Sequence, residues 1–234
     1  MAERHKRAIA GLLPVRLGST RCKRKNLRSF GTTTLFEHAL SRFIESQEIS
    51  RLYVAAHEPE FEDIAARYPG IVYIHRSARS AAGEDLESIY DFLGEIEEDY
   101  IATINTCFPF LSLTTFDSGV RYYRQHLFHS MISAYEAPGW YFSGDDRRLL
   151  TPIAAGSINS KDLKPFLRAS HAIFCWQKRR VIEEKRIWTL TPDDPHLYPV
   201  SPEECIDIDT ELEFEIAEAL FLSRQQKKAA GAPA

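Results

Sequence analysis

Two stretches near opposite ends of the chain carry residue types suited to phosphate chemistry. Residues 12–26 read LLPVRLGSTRCKRKN: a short apolar run, then Gly18, Ser19 and Thr20, then Arg21, Lys23, Arg24 and Lys25, with Arg16 just ahead of the glycine. Small residues let a turn present backbone N–H groups to an anion at close range. Arg16, Arg21 and Lys25 would add charge-assisted hydrogen bonds, the arginines in a form that fits two phosphate oxygens at once. The spacing is neither G-x-x-x-x-G-K-[ST] nor G-x-G-x-x-G, so neither a Walker loop nor a dinucleotide turn is expected. Further on, CIDIDTELEF places Asp207 and Asp209 two residues apart. In extended backbone both carboxylates point to one side, where they repel unless a cation lies between them. Mg²⁺, often held by one or two carboxylates together with substrate phosphates, meets that need. Each stretch alone also fits a plainer description, a basic surface turn or a polar strand edge before a helix cap. Together they supply the two parts that nucleotidyl transfer requires.

The elements that must position these residues follow a regular rhythm. AIAGLLPV, RLYVAAH, GIVYIHR, YIATINT and SMISAYE read as strands, and TLFEHALSRFIESQ, PEFEDIAARY, DLESIYDFLGEI and TTFDSGVRYYRQHL as amphipathic helices between them. This alternation predicts an α/β fold with a mostly parallel, doubly wound sheet. Ligands of such sheets bind beyond the carboxyl ends of the strands, where the basic stretch follows the first strand. Residues 138–168 break the rhythm with turn residues, charges and aromatics, a length of loop that implies function or a covering partner. HAIFCW, KRRVIEE, RIWTLT and TELEFEIAEALFLSRQ then read as strand, helix, strand and helix, the last opened by a T-x-x-E capping box at Thr210 and Glu213. Residues 225–234 read as a flexible tail. The expected organisation is thus one domain, 1–234.

Composition narrows the function classes. The chain has 234 residues, 44% apolar and 26% charged, with 29 Lys plus Arg against 33 Asp plus Glu. A net charge of −4 argues against a general nucleic-acid binder, whose affinity rests on neutralising phosphates. No run approaches the ~20 apolar residues of a membrane span, and the apolar start lacks a cleavage site. The four cysteines, Cys22, Cys107, Cys175 and Cys205, form no C-x-x-C pair, so neither a zinc site nor a disulfide framework is expected and a cytoplasmic setting is the simplest.

With both stretches in hand, the sequence resembles the acylneuraminate (CMP-sialic acid) cytidylyltransferase family, related to the CMP-Kdo synthetases. LLPVRLGSTRCKRKNL matches that family's P-x-R-x-G-S-x-R-x-x-x-K-N loop, and CIDIDTELEFEIAEAL its closing I-D-I-D-T-E motif. The resemblance implies transfer of CMP from CTP to an acidic sugar with release of pyrophosphate, dependence on Mg²⁺, and a homodimer formed through an arm, here 138–168. It places Leu13, Pro14, Arg16, Gly18, Ser19, Arg21, Lys25 and Asn26 at the nucleotide, with Arg16, Lys25 and Asp209 as catalytic residues. Asp207 and Asp209 would hold the metal. Arg76 and Ser88 align with residues near the nucleotide, and Asn105 with an amide that meets the pyrimidine or the acceptor. A solvated strand end would account equally for Arg76, and a strand-end cap for Asn105.

The middle of the chain departs from the family pattern. T-S-P-L-R becomes CFPFL, with Leu111 at the arginine, and Ser160-Lys161 and Ser170-His171 stand where the family has an arginine-glutamine pair and Asn-Gly. Losing an arginine from a carboxylate grip is not conservative. Lys161, Arg168, His171 and the arm's Arg147-Arg148 are possible replacements at the acceptor, although a histidine in such a place is more often structural than catalytic. Two alternatives follow: a phosphonate or other phosphorylated small molecule as acceptor, or a nucleotide-binding paralogue without turnover.

Overall fold

A computed structural model describes residues 8–83, 85–151, 159 and 163–230. Along the chain come β1 (Ile9–Pro14), β2 (Ser29–Phe30), β3 (Thr33–Thr34), α1 (Leu35–Phe43), β4 (Arg51–Ala56), α2 (Pro59–Ala65), β5 (Ile71–His75), α3 (Ala78–Ala82) and α4 (Leu86–Ile89). After these come β6 (Tyr100–Thr103), α5 (Leu113–His126), β7 (Ser130–Ala137), β8 (Phe166–Gln177), α6 (Lys178–Ile182), β9 (His196–Pro199) and α7 (Glu211–Ala229). Seven strands form one sheet in the order β5-β4-β1-β6-β8-β7-β9, while β2 and β3 make a separate ribbon. β5, β4, β1 and β6 run parallel to one another, β8 is antiparallel to both its neighbours, and β9 is parallel to β7. The expected mostly parallel α/β sheet is therefore present, with one reversed strand.

The central strand shows why. β1 is apolar throughout because both its faces are covered: Ile9 and Leu13 join a core with Phe36, Leu40, Phe43 and Phe116, whereas Ala10 and Leu12 join Tyr53, Ile74, Phe92 and Trp176 on the opposite face. From β1 the chain winds outward through β4 and β5, then returns to place β6 on the other side of β1. The loops after β1 and β6 thus flank the crevice at the point where the winding reverses, the usual ligand position of such sheets.

Several elements differ from expectation. Residues 85–96 form only the short α4 and a 3-10 turn at Leu93–Glu95. The strand expected at 171–176 extends over Phe166–Gln177. RIWTLT is not a strand, and the edge strand β9 (His196–Pro199) was not foreseen. RIWTLT has strand-forming residues but its Thr189 is bonded to the Asp194 carboxylate instead of a ladder. β9 is four residues long and ends in proline, which sheets accept at their edges. α7 runs on to Ala229, into the segment expected to be a tail. Within 138–168, the segment expected as an arm, residues 141–150 turn back on themselves through Leu150 N–H to Tyr141 O at 2.7 Å and Ser143 N–H to Arg148 O at 2.8 Å. Residues 152–158 and 160–162, and with them Ser160 and Lys161, lie outside the described residues. Cys22, Cys107, Cys175 and Cys205 are all free and buried.

Candidate active site

The tertiary fold brings the two chemical stretches together. Asp209 sits against the loop after β1: its Oδ2 lies 2.9 Å from the Arg21 guanidinium and its Oδ1 3.2 Å from Lys25 Nζ. Lys25 also donates to the Ile208 carbonyl at 2.6 Å. A small apolar cluster fixes this meeting: Cys22 from the loop, Phe30 and Leu35 behind it, Ile208, and Phe214 and Ala217 from α7. Ile208 is fully buried between the two aspartates, so the alternation of extended backbone turns Asp207 and Asp209 outward together, as their spacing predicts. The Ile208 N–H donates to Cys107 O at 3.0 Å, which ties the pair to the loop after β6. The capping box of α7, Thr210 with Glu213, holds the chain immediately beyond.

Charge in this corner is uneven. Burial lowers the Lys25 pKa, but the neighbouring Cys107 and Asp209 outweigh it and raise the value. Asp207 is exposed as a residue and makes no ion pair among the described residues. Crowding of its carboxyl by protein atoms, and next the negative charge of Asp209, push its pKa up to about 6, against the pull of Lys25. Two carboxylates side by side, one of them without a counter-ion, form a donor set that fits a hard divalent cation. No cluster of three or more His, Cys, Asp or Glu is placed for a metal among the described residues, so substrate or water oxygens would have to complete the shell.

The remaining loop residues divide into open and committed groups. A Cβ added at Gly18 would meet nothing within 4 Å, so the backbone there is open to an approaching anion. Ser19 N–H is turned to Leu17 O at 2.7 Å and Leu17 N–H to Glu58 at 2.8 Å, whereas those of Gly18 and Thr20 make no bond within the described protein. Arg16 is exposed and touches Ala81 O at 3.3 Å. Asn26 is buried and used as a pin: its Nδ2 donates to Arg16 O at 3.0 Å, its Oδ1 accepts from Thr106 at 2.6 Å and its carbonyl accepts Phe36 N–H at 3.0 Å. Glu211 at the start of α7 takes the Lys23 N–H at 3.3 Å and pairs with Arg28. Thr106, Glu58 and Glu211 went unnoticed in the sequence, because nothing in their spacing relates them to the loop.

Arg76 and Ser88 are both buried and do not line the cleft that lies next to the loop. Arg76 is 4% exposed, with its Nε on Ser80 Oγ at 3.1 Å and its Nη2 on Ser80 O at 2.7 Å, an arrangement that clasps α3. Its burial lowers its pKa. The Ser88 hydroxyl donates to Asp85 at 2.7 Å as part of the α4 cap.

Next to the loop lies a cleft of about 360 Å³ lined by Pro14, Tyr90, Asn105, His171, Phe174 and Trp188 among others. Leu13 itself points into the core, leaving Pro14 as the β1 residue on this cleft. Asn105 Oδ1 accepts the Cys107 N–H at 3.0 Å. His171 reaches the cleft through a β-bulge: β7 pairs Ile132 with Phe174 and the next residue, Ser133, with Ser170, which leaves residues 171–173 without partners. The buried Ser133 hydroxyl clamps the bulge, donating to Ser170 O at 2.6 Å and accepting Ile173 N–H at 3.0 Å. Desolvation lowers the His171 pKa, and its ring meets Phe174 edge-on at 5.4 Å. The Trp188 wall depends on Asp194, which accepts from Thr189 N–H at 2.8 Å, Arg180 at 2.9 Å and Ser130 at 2.6 Å. Ser133, Asp194 and Arg180 carried no sequence signal, since their roles are contacts across strands and loops. Arg168 lies over Tyr135 at 5.9 Å and does not line the cleft. Leu111 is buried, and its carbonyl, with that of Pro109, accepts from Arg42 of α1.

Comparison with known proteins agrees with this layout. The chain is similar in fold to a CMP:2-keto-3-deoxy-manno-octonic acid synthetase complexed with CTP, at 12% identity and a TM-score of 0.67 over 93% of this chain and 99% of the other. It is similar also to the 4-diphosphocytidyl-2C-methyl-D-erythritol synthase of Anaerococcus prevotii DSM 20548, at 16% identity, a TM-score of 0.66 and coverage of 95% and 99%. A cytidylyltransferase from Leptospira borgpetersenii serovar Hardjo-bovis matches at 17% identity, with a TM-score of 0.59 and coverage of 90% and 85%. No curated protein matches the sequence. The cytidylyltransferase family model matches residues 10–139, the segment that contains the basic loop, Arg76, Ser88 and Asn105. The chain therefore belongs to the cytidylyltransferase family, whose reaction is CTP-dependent cytidylyl transfer.

Proposed function

We propose that this protein transfers CMP from CTP to an oxygen of a small acidic acceptor, releasing pyrophosphate, and that the acceptor is an acidic sugar of the nonulosonic or ulosonic type. The observation that carries this reading is the meeting of Asp209 with Arg21 and Lys25 at 2.9 and 3.2 Å, which puts the carboxylate pair at the mouth of the basic loop. Arg16, Arg21 and Lys25 would bind the triphosphate, and the open Gly18 backbone would let it approach. Asp207 and Asp209 would hold Mg²⁺, which when bound neutralises charge on phosphate oxygens. The aromatic cleft beside the loop would seat the acceptor, with Asn105 and His171 meeting its hydroxyls. Fixed cations aimed at charge that grows during transfer lower the barrier because they need no reorganisation.

Leu111 favours a second reading, in which the acceptor is a phosphonate or another phosphorylated small molecule. Its side chain is buried at the position where the resemblance expects an arginine for a sugar carboxylate. A homodimer fits the apolar side chains exposed on and near the arm, among them Phe142, Leu150 and Leu167. The decisive experiment measures pyrophosphate release from CTP and Mg²⁺ with a panel of nonulosonic acids, Kdo-like sugars, phosphonates and sugar phosphates. Release with a sugar acid is expected, and release with a phosphonate alone supports the second reading. Tight binding of CTP and Mg²⁺ without turnover of any of them would leave a nucleotide-binding protein and overturn both.

A further inference from the structure

Asp209 holds partners that a metal ligand would not be expected to keep. One oxygen lies 2.9 Å from Arg21 and the other 3.2 Å from Lys25 Nζ, so a single carboxylate spans two of the cations proposed for the triphosphate. Lys25 cannot swing clear, because its side chain is 11% exposed and it also donates to Ile208 O at 2.6 Å. An incoming triphosphate must therefore compete with Asp209 where the protein holds it. Asp207, two residues away and without an ion pair among the described residues, adds a second negative charge to the same corner. The two contacts differ in weight: the Arg21 side chain is 66% exposed, and pairs so open to water contribute little. The Lys25 contact is the one that counts.

We infer that Asp209 is a specificity-determining residue that makes the loop discriminate against free CTP in favour of CTP accompanied by a divalent cation. Free CTP brings only negative charge and has to take Lys25 from Asp209. CTP with its cation offers Asp209 a replacement partner, so the phosphates can take up Lys25 where it is held, and Arg21 beside it, without leaving a carboxylate unpaired. A ligand shifts such an equilibrium only by its differential affinity for the two arrangements, and the cation supplies that difference. The inference rests on the loop being the triphosphate site, and the experiment separates the two.

Isothermal titration calorimetry of CTP into the full chain, at fixed ionic strength, is done with EDTA and then with excess Mg²⁺, for wild type, Asp209→Asn and Asp207→Asn. Wild type should gain at least about tenfold in affinity from Mg²⁺. In EDTA, Asp209→Asn should bind CTP several-fold more tightly than wild type, on the order of tenfold where the half-buried Lys25 contact is worth about 1.4 kcal/mol. Its gain from Mg²⁺ should shrink. Asp207→Asn removes the same charge without breaking an ion pair and should tighten binding less. Thermal unfolding checks that each variant is folded, and Asp209→Ser repeats the measurement with a shorter side chain. Binding by Asp209→Asn in EDTA no tighter than wild type, or equal tightening by Asp207→Asn, overturns the inference while leaving the nucleotide site intact. Failure of wild type to bind CTP both in EDTA and with excess Mg²⁺ removes the triphosphate reading, and this inference with it.

Discussion

The basic loop and the aromatic cleft share the crevice beyond β1 and β6, but different forces shape them. In the loop, cations and carboxylates face one another across a surface that water reaches: Arg21 and Asp209 are both substantially exposed. In the cleft, Phe174, Trp188 and Tyr90 form a wall whose placement depends on groups behind it, the clamped bulge of β8 and the buried Arg180–Asp194 pair. The first region is poised to exchange its partners for a ligand's charges. The second is held by polar bonds behind it and offers a ligand chiefly an apolar, aromatic shape, with Asn105 and His171 among its polar groups. Substitutions should accordingly act on ligand energetics in the loop and on fold stability behind the cleft.

The largest effect should come from behind the cleft. Arg180→Ala leaves the Asp194 carboxylate buried without its cation, and breaking such a pair costs about 3–5 kcal/mol. Urea unfolding should show a loss of that size, and a loss under about 1 kcal/mol would mean the pair does not brace this region. Lys25→Ala should leave stability closer to wild type but cut turnover about 10²–10³-fold, as removal of one positioned charge-stabilising donor does. If pyrophosphate release survives that change, the loop and the cleft do not differ in the way described.

Acid offers a milder probe. Burial alone would raise the Asp194 pKa, but hydrogen bonds from Ser130, Arg180 and Thr189 outweigh it and bring the value from 3.8 to about 2. A carboxyl depressed in the folded state stabilises fully above its unfolded pKa and loses that contribution as pH falls through the folded one. About 2 kcal/mol should therefore disappear between roughly pH 4 and pH 2. Asp194→Asn, itself less stable, should lack this part of the acid dependence when unfolding is followed across that range. The smallest effect should be that of Trp188→Ala, which should raise KM for a panel acceptor about tenfold through lost ring contact. CTP affinity should stay near wild type, and a matching loss for CTP would place the nucleotide, instead of the acceptor, in the cleft.

Much of the loop was legible in the sequence because its chemistry is local. Gly18, Ser19, Arg21 and Lys25 are close in sequence, and Asp207 and Asp209 share a side by the alternation of extended backbone alone. Of the cleft, Asn105 and His171 were named only through the family resemblance, and its shape was not legible for the converse reason. His171 reads as one residue of a regular strand, and only the mismatch in register between β7 and β8 turns it into the crevice. Asn26 marks the boundary between the two cases: its position in the loop was evident, yet its two side-chain bonds, to Arg16 O and from Thr106, show a side chain spent on holding the loop.

By itself, then, the amino-acid order determined the parallel α/β sheet, the basic loop behind its first strand and the outward pairing of two aspartates. These follow from apolar periodicity, backbone alternation and charge, all of which act over a few neighbouring residues. Only the tertiary structure decided that Asp209 meets Lys25 across 184 positions of chain and that Ser133 shapes the surroundings of His171. Contacts of this kind are set by how layers pack and how strands register, and they leave no pattern among near neighbours in the sequence.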